Sequence, residues 1–352
     1  MNLSASNRKK SAANLAPARV ELLSPRTFFI IAVCLVAAVF AIYGPTLDFQ
    51  FILDDHRFTS DPRIESSGHV WEYFSNYVWA QFVGGPPSFY RPLFILWLRI
   101  NFILSEMSPW GWHLLSIVKH LVVAALLGLV VWRLLRDRVA VLIASTLFVL
   151  HPAQAESVAW VTVPDPLMSI GILGSVLLYL RYARGVPRAG VDGKKSRKAP
   201  QISNRAPSPV FWLIASAVVC LAAMLAKETA MILPVVIFVL ALLVQLDEHG
   251  RINPAKTGAG SSTRLVRALR EMVPFACVTA FYLLLRFNAL GVNLASRTQQ
   301  LPRSTVLLSS PSTLWFYVKV LLWPVHSRAF ADPNLSERFS VKGVMLPGLG
   351  VG

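Results

Sequence analysis

The stretch TFFIIAVCLVAAVFAIYGPTLDFQFILDDHRF, residues 27–58, joins a long apolar run to an adjacent pair of acids, Asp54 and Asp55. The run over 27–46 carries no charged residue and is long enough to cross the hydrocarbon core of a membrane as a helix. Carboxylates placed directly after such a span lie at the membrane surface, where they serve in catalysis or in binding a cation. The stretch therefore predicts a membrane helix followed by a candidate functional site.

The remainder of the chain is also strongly apolar. Of its 352 residues, 55% are hydrophobic and only 15% are charged, and the mean hydropathy is +0.54. Such a composition places most of the chain in lipid. The apolar runs that we interpret as spans are 27–46, 113–132, 139–151, 166–182, 210–226, 231–246, 272–290 and 308–325. Because several are shorter than the ~20 residues of a crossing helix, we expect some to be tilted or broken. The predicted fold is an all-α polytopic membrane protein with about eight transmembrane helices.

The basic residues behind the net charge of +16 fall in alternate loops. They concentrate in 1–26, 133–138, 181–205 and 247–271, whereas the loop 47–112 holds seven acids against four arginines. By the positive-inside rule the basic segments are cytoplasmic, so the acidic pair faces the outside. This distribution argues against a nucleic-acid partner and favours an integral protein of the inner (plasma) membrane, with a cytoplasmic amino terminus.

The predicted organisation is a basic cytoplasmic tail (1–26), a transmembrane domain (27–335) and a final tail (336–352). Within the domain, 47–112 forms a long extracytoplasmic loop whose many tryptophans and tyrosines are typical of helices lying at the interface. The stretch 184–209 is rich in Gly, Pro, Ser and Lys, which predicts a disordered cytoplasmic linker. The three cysteines (Cys34, Cys220, Cys277) sit in apolar spans without paired spacing, which argues against disulfides and zinc.

Four groups of polar residues lie on the outer side in this topology. They are FILDDHRF at 51–58, YRPL at 90–93, HPAQAESVAWVTVPDPL at 151–167, and Lys-Glu at 227–228, which Pro234 follows in the next apolar run. Lying on the same side of the membrane does not prove that the four groups form one site, but it allows them to do so.

In the order of these motifs, the chain resembles the GT-C superfamily of integral membrane glycosyltransferases. The likeness extends over approximately 45–335 and is greatest to the O-mannosyltransferase-like proteins, which often carry tetratricopeptide repeats. In that family a sugar carried on a polyprenyl phosphate is transferred to an acceptor at the outer face of the membrane. The resemblance therefore implies a GT-C-like fold and a polyprenyl-phosphate-linked sugar, such as a mannose-like hexose, as donor. The acceptor it implies is a hydroxyl of a protein, a glycan or a lipid.

Inverting transfer requires a carboxylate that deprotonates the acceptor and cations that stabilise the departing phosphate. The resemblance implies Asp54 as the base and Asp55 as its orienting or acceptor-binding partner. The cations best suited to the phosphate are Arg91 and Lys227. The remaining acids of the motifs, assigned to the acceptor or to positioning the reacting groups, are Glu156, Asp165 and Glu228. No cofactor is expected, and a divalent metal is not favoured.

Simpler interpretations exist for most of these residues. Asp54 and Asp55 could cap a short interfacial helix, Arg91 could anchor a helix at the interface, and Glu156 could be a solvated loop acid. Lys227 and Glu228 could pair with each other at the end of a span. His113 and His120 lie on a predicted span, where a core histidine with satisfied hydrogen bonds is more typical than a metal ligand.

The sequence departs from the family pattern at two places. The arginine that commonly precedes the acid of the third motif is replaced by Thr162-Val163-Pro164. The segment 343–352 resembles the beginning of a further span, which indicates a truncated product.

Two other interpretations of the chain remain open. One is an inactive remnant, and the other is a carrier or flippase for lipid-linked saccharides. A carrier would use ionisable groups within its spans, for which the candidates are Lys119, His120, Arg286 and Lys319.

Overall fold

The computed structural model describes residues 24–82, 88–185, 208–243, 261–291 and 302–322. Within them the chain is helical and contains no strand. The α-helices in chain order are α1 (Pro25–Tyr43), α2 (Asp55–Thr59), α3 (Pro62–Glu65), α4 (Glu72–Ser75), α5 (Pro92–Ser105), α6 (Pro109–Leu135), α7 (Arg138–Leu150), α8 (Ala155–Ala159), α9 (Asp165–Gly185), α10 (Pro209–Ala226), α11 (Leu233–Leu243), α12 (Ser261–Leu290) and α13 (Arg303–Leu322). Short 3₁₀ turns occupy Gly44–Asp48, Ser67–His69, Pro152–Gln154 and Glu228–Ile232. The basic segment 1–23, most of the predicted linker (186–207) and the final tail lie outside the described residues.

The described helices confirm the all-α polytopic membrane class. Those long and apolar enough to cross a membrane number six, namely α1, α6, α9, α10, α12 and α13. A seventh is obtained if α7 and α8, which meet at an angle of 56° across the Pro152–Gln154 turn, form one broken span. The predicted span 231–246 is represented by α11, which is too short to cross within the described residues.

The spans begin where the sequence supplies helix-starting residues. Ser24 accepts a hydrogen bond from the backbone N–H of Thr27, and Pro25 occupies the first helical turn, where its missing N–H costs nothing. Asp137 likewise caps α7 by accepting from the N–H groups of Val139 and Ala140. These caps fix the first residues of α1 and α7, and the polar motifs at 51–58 and 151–167 follow the opposite ends of the same helices.

Helices α9 and α10 pack closely and run antiparallel. Gly171 lies directly against Ala223, and the hydroxyls of Ser175 and Ser216 each donate to the backbone carbonyl of the other residue, at 2.8 and 2.7 Å. Small residues and hydroxyls of this kind let helix backbones approach within a membrane. Because the two helices run in opposite directions, the start of α9 and the end of α10 lie at the same end of the bundle.

The first loop is a folded unit around a buried ion pair. The guanidinium of Arg63, which is 0% exposed, contacts the carboxylate of Asp61 at 2.7 Å and donates to the carbonyls of Tyr77 and Val78. Phe58, Tyr73, Phe94, Leu98 and Trp112 form an apolar cluster that joins this loop to α5 and α6. The loop therefore holds the acidic pair on a rigid support.

Candidate active site

The four polar motifs of the sequence meet at one end of the helix bundle. Asp165 begins α9, Lys227 follows α10, and Arg91 directly precedes α5. Direct contacts join the acidic pair to the third motif, the third motif to Lys227, and Glu228 to Arg91. Motifs separated by up to 137 positions in the chain therefore build one continuous polar cluster.

Asp55 is the fixed member of the acidic pair. Its side chain is fully buried, and its Oδ1 accepts hydrogen bonds from the hydroxyl and the backbone N–H of Thr162 at 2.6 and 3.2 Å. Its Oδ2 accepts from the N–H of Ile52 at 3.1 Å. Burial raises the pKa of Asp55 above its ordinary value, although these hydrogen bonds and the charge of His56 act in the opposite direction. The contacts give Asp55 a positioning role because they occupy both carboxylate oxygens.

Asp54 differs from its neighbour because it is half-buried. It stands at the N-cap position of α2, but its side chain makes no capping hydrogen bond. Within the described residues its carboxylate forms neither a hydrogen bond nor an ion pair. The preceding Leu53 has a backbone φ of +48°, a left-handed conformation that is strained for a side chain of this size. The backbone thus places the Asp54 carboxylate, which has no hydrogen-bond partner in the described residues, beside the Asp55 carboxylate, which is held by three hydrogen bonds.

The cations of the cluster pair across segments. The Lys227 ammonium donates to both oxygens of Asp165 at 2.7 and 2.6 Å, and Arg91 forms a two-pronged pair with Glu228 at 2.8 and 2.6 Å. The interpretation of Lys227 and Glu228 as partners of each other is therefore wrong, since each holds a residue from another motif. Burial alone would raise the pKa of Glu228, but the hydrogen bonds and charge of Arg91 outweigh it and lower the pKa below its ordinary value.

A third cation adjoins these pairs, and the sequence interpretation had not placed it there. Arg286 lies near the end of α12, and its charge acts on Glu228 and on the neighbouring Tyr282. One of its terminal nitrogens donates to the Ser88 carbonyl at 3.0 Å, while the other is buried without a hydrogen-bond partner in the described part of the chain. Arg91, Glu228, Lys227 and Asp165 are neutral in sum, so Arg286 leaves these five residues with one positive charge.

A polar cavity of about 240 Å³ opens beside Asp165. Its walls include Gln154, Ser157 and Ser169, together with the ring of Phe148, on which His120 stacks at a centroid distance of 5.0 Å. The volume is below the roughly 300–1,000 Å³ of pockets for drug-sized ligands. Its carboxylate, amide and hydroxyl groups suit a small, neutral, polyhydroxylated ligand better than a free phosphate.

Comparison with known proteins shows which proteins the chain is similar to. The protein O-mannosyl-transferase Tmtc1 of Drosophila melanogaster is 30% identical over 234 residues, which are 65% of this chain and 24% of that protein. Tmtc2 of the same organism is 32% identical over 223 residues, 61% of this chain and 22% of the relative. Human TMTC3 is 34% identical over 151 residues, 42% of this chain and 16% of the relative. The chain is similar to the TMTC O-mannosyl-transferases.

This similarity confirms the resemblance to O-mannosyltransferase-like proteins. The matched part spans about a quarter or less of the length of these TMTC proteins. No protein-family model and no solved structure matches the chain.

The departure from the family pattern at 162–164 has a clear structural role in this TMTC-like chain. The family pattern has an arginine shortly before the acid of the third motif, and this chain has Thr162 there instead. The hydroxyl and the backbone N–H of Thr162 supply two of the three hydrogen bonds that hold Asp55. The third motif is thus connected to the acidic pair by a neutral donor. A neighbouring acid, Glu156, is exposed, and the charges of Asp165 and Lys227 reach it.

No group of three or more metal-binding side chains occurs within the described ranges. His113 is buried against Phe49, at a ring-centroid distance of 6.1 Å, and His120 lies between Tyr43 and Phe148. Both histidines therefore pack in the core, and the prediction that neither belongs to a metal site remains open.

Proposed function

We propose that the protein is a glycosyltransferase that moves a mannose-like hexose from a polyprenyl phosphate to a hydroxyl of a protein acceptor, at the outer face of the membrane. The observation that carries this proposal is the acidic pair, in which Asp54 is accessible and uncommitted while Asp55 is buried and held by Thr162. The similarity to O-mannosyl-transferases supplies the sugar and the protein acceptor. Because the chain covers only a fraction of those proteins, its own activity is part of the proposal.

In the reaction, Asp54 acts as general base. Its carboxylate takes the proton of the acceptor hydroxyl as the oxygen attacks the anomeric carbon. The bond between that carbon and the phosphate oxygen breaks, and its electron pair leaves with the polyprenyl phosphate. Since attack and departure occur on opposite faces of the sugar, the anomeric configuration inverts.

The leaving phosphate is stabilised by cations that retain unused donors. The pair with Glu228 engages only Nε and Nη2 of Arg91, so the Nη1 hydrogens of its five-donor fork stay free for an anion. Lys227 keeps one of its three ammonium hydrogens after bonding both oxygens of Asp165. Arg286 adds one further positive charge near the departing phosphate. The carboxylates position these cations without cancelling their capacity to bind phosphate.

The cavity beside Asp165 accommodates the transferred sugar. Carboxylate and amide groups such as those of Asp165 and Gln154 bind neighbouring hydroxyls of a sugar ring, and Phe148 provides an apolar wall for the less polar surface of the ring. The charged phosphate then remains near Lys227, at the rim of the cavity.

The test is sugar transfer in membranes that express the full chain, supplied with a panel of radiolabelled polyprenyl-phosphate sugars. Asp54→Asn removes the base with almost no change in shape, and we expect a loss of transfer of about 10²–10⁴-fold. Asp48→Asn, which alters an exposed acid of the same loop, serves as the matched control and retains the activity. Normal transfer by Asp54→Asn would refute the role of this base, and no transfer by a well-expressed wild-type chain would refute the enzymatic activity of the chain by itself.

One observation favours the carrier function as the second candidate. Lys119, within α6, is buried, and its ammonium lies 5.4 Å from the centroid of the Trp97 ring. Ionisable groups buried in spans are typical of transport pathways. Translocation of a fluorescent lipid-linked saccharide in proteoliposomes, lost in Lys119→Met but retained in Asp54→Asn, would establish that function instead.

A further inference from the structure

Four arginines gather at the end of the bundle opposite to the candidate active site. Arg133 and Arg136 close α6, and Arg181 and Arg184 lie in the last turns of α9. The two helix ends meet, because Arg184 donates to the carbonyl of Arg133 at 3.5 Å. Helix α9 begins at Asp165 in the active site and is about 30 Å long at 1.5 Å per residue. The arginine cluster is therefore a separate feature of the molecule.

The cluster carries positive charge that the described residues do not neutralise. Arg184 lies within electrostatic range of Arg133, Arg136 and Arg181, all of like charge. The Nε atoms of Arg136 and Arg184 are buried and lack a hydrogen-bond partner in the described ranges. Buried donors of this kind cost free energy unless an acceptor arrives.

The acids on neighbouring helices are committed elsewhere. Asp137 caps the start of α7 through its Oδ1, and its single negative charge leaves the four arginines in excess. Glu271 accepts hydrogen bonds from the hydroxyls of Tyr179 and Tyr182 and pairs with Arg267 at 3.0 Å. The favourable position of arginines at helix C-termini explains their presence but leaves the buried Nε atoms unsatisfied.

An apolar groove of about 620 Å³ runs between α1, α6 and α7 and reaches this end of the bundle. Its walls are built by aliphatic side chains, among them Leu35, Val36, Val122, Leu129, Val141 and Leu142. Trp132 and Arg138 line the groove as well, and the guanidinium of Arg136 lies 5.7 Å from the centroid of the Trp132 ring. The apolar groove and the arginine cluster are therefore adjacent.

We infer that the arginine cluster binds the phosphate of an anionic phospholipid, one acyl chain of which lies in the groove. A groove with aliphatic walls and cations at its end matches a molecule with an apolar tail and an anionic head. Basic pockets between transmembrane helices bind phospholipid head groups by this arrangement. The lipid phosphate supplies acceptors toward which the partly exposed side chains of Arg136 and Arg184 can turn their unpaired Nε–H groups. It also relieves the repulsion among the four arginines and fastens α1 to α6 and α7. This site is independent of the proposed transferase activity.

The test uses the full chain in neutral detergent, with binding of dioleoylphosphatidylglycerol and dioleoylphosphatidylcholine measured by native mass spectrometry and by thermal denaturation. We expect the phosphatidylglycerol to bind more tightly and to raise the melting temperature. Each arginine near an anionic lipid contributes about a fivefold change in affinity, so Arg136→Gln combined with Arg184→Gln should weaken binding about 25-fold. Arg270→Gln, an exposed arginine of α12, is the matched control.

A second variant tests the groove. Ala125 lines it on α6, and Ala125→Phe fills the space of the acyl chain without touching the arginines. It should lower phosphatidylglycerol binding, whereas Ala276→Phe at an exposed position of α12 should not. Equal binding of both lipids, full binding by the double arginine variant, or equal protection by glycerol phosphate alone would overturn the inference. Variants are compared only if they melt as the wild type does in phosphatidylcholine.

Discussion

The two neighbouring acids show how the surroundings give adjacent, chemically identical side chains different roles. Asp55 is buried under Thr162 and Ile52, whereas Asp54, one residue earlier, is half-buried and uncommitted. Adjacent carboxylates repel when both are ionised, and three hydrogen bonds to Asp55 reduce that cost. The arrangement leaves Asp54 available to accept a proton.

The raised pKa of Asp55 has a measurable consequence for stability. With a folded-state pKa above the ordinary 3.8, the folded chain retains a proton that the unfolded chain has already lost. The contribution of Asp55 to the free energy of unfolding therefore falls as the pH rises from about 3.8 through the folded-state pKa, and it is constant above. We expect the difference between wild type and Asp55→Asn, measured by thermal denaturation across this range, to show that fall. A difference that does not change with pH would contradict the assignment.

The acids of the site could be predicted from the sequence because charged residues are rare in an apolar chain and because their order matches a family. Thr162 and Arg286 could not be predicted in the same way. Thr162 is 107 positions from the acid that it binds, and a threonine between apolar residues carries no chemical signal. Arg286 stands out in its span, but its neighbours Glu228 and Ser88 come from distant segments. Contacts between distant segments depend on how the helices pack, and they produce no recognisable spacing of residues in the sequence.

At the scale of helices, the close contact of α9 and α10 fixes the distance between Asp165 and Lys227. A Cβ added at Gly171 would lie 2.7 Å from the Cβ of Ala223 and 3.0 Å from its Cα, so Gly171→Ala forces the helices apart. We expect a loss of about 1–3 kcal/mol in the free energy of unfolding, as is usual for an overpacked core. Gly174→Ala is the control, because its Cβ would meet only Val219 at 3.5 Å. Denaturant-induced unfolding in detergent measures both variants, and equal stability would show that the helices adjust freely.

Helix ends were harder to predict than helix positions. The apolar pattern located every membrane-length helix that the structure describes. It also predicted that some short runs would be tilted or broken, without identifying them, and two of these are 139–151 and 231–246. The first is α7, which breaks at Pro152 and continues as α8 at an angle of 56°. The second is preceded by the 3₁₀ turn Glu228–Ile232, so that its regular helix begins only at Leu233. Hydropathy reports how apolar each run is, but it does not report the angle between consecutive helices.

At the scale of the whole molecule, the pair of Arg91 with Glu228 connects the first loop to the segment after α10. The two side chains are only 12% and 19% exposed. Breaking a buried pair by removing one partner costs about 3–5 kcal/mol, whereas replacing both by apolar residues is often nearly neutral. We expect Glu228→Gln to destabilise the protein by somewhat less than that range, because the pair keeps some solvent contact. The double variant Arg91→Leu and Glu228→Leu should recover much of the stability.

Transfer activity then separates the structural role of this pair from the functional one. If Arg91 contacts the donor phosphate, the double variant remains folded but inactive. If it retained full transfer, Arg91 would serve the fold alone, and Lys227 and Arg286 would be the phosphate-binding cations.

The distribution of charge predicts how the two charged ends lie relative to the membrane. The arginine cluster belongs to the basic side, which the positive-inside rule assigns to the cytoplasm, so we expect the acidic pair to face outward. In a chain whose Cys34, Cys220 and Cys277 are replaced by alanine, Ser60→Cys next to α2 and Ser208→Cys before α10 place one thiol at each end, both at exposed positions. A membrane-impermeant maleimide added to intact cells without an outer barrier should label Ser60→Cys at once and Ser208→Cys only after permeabilisation. The opposite pattern would put the acidic pair in the cytoplasm, where the base would face soluble nucleotide sugars, and would remove the reason for a lipid-linked donor.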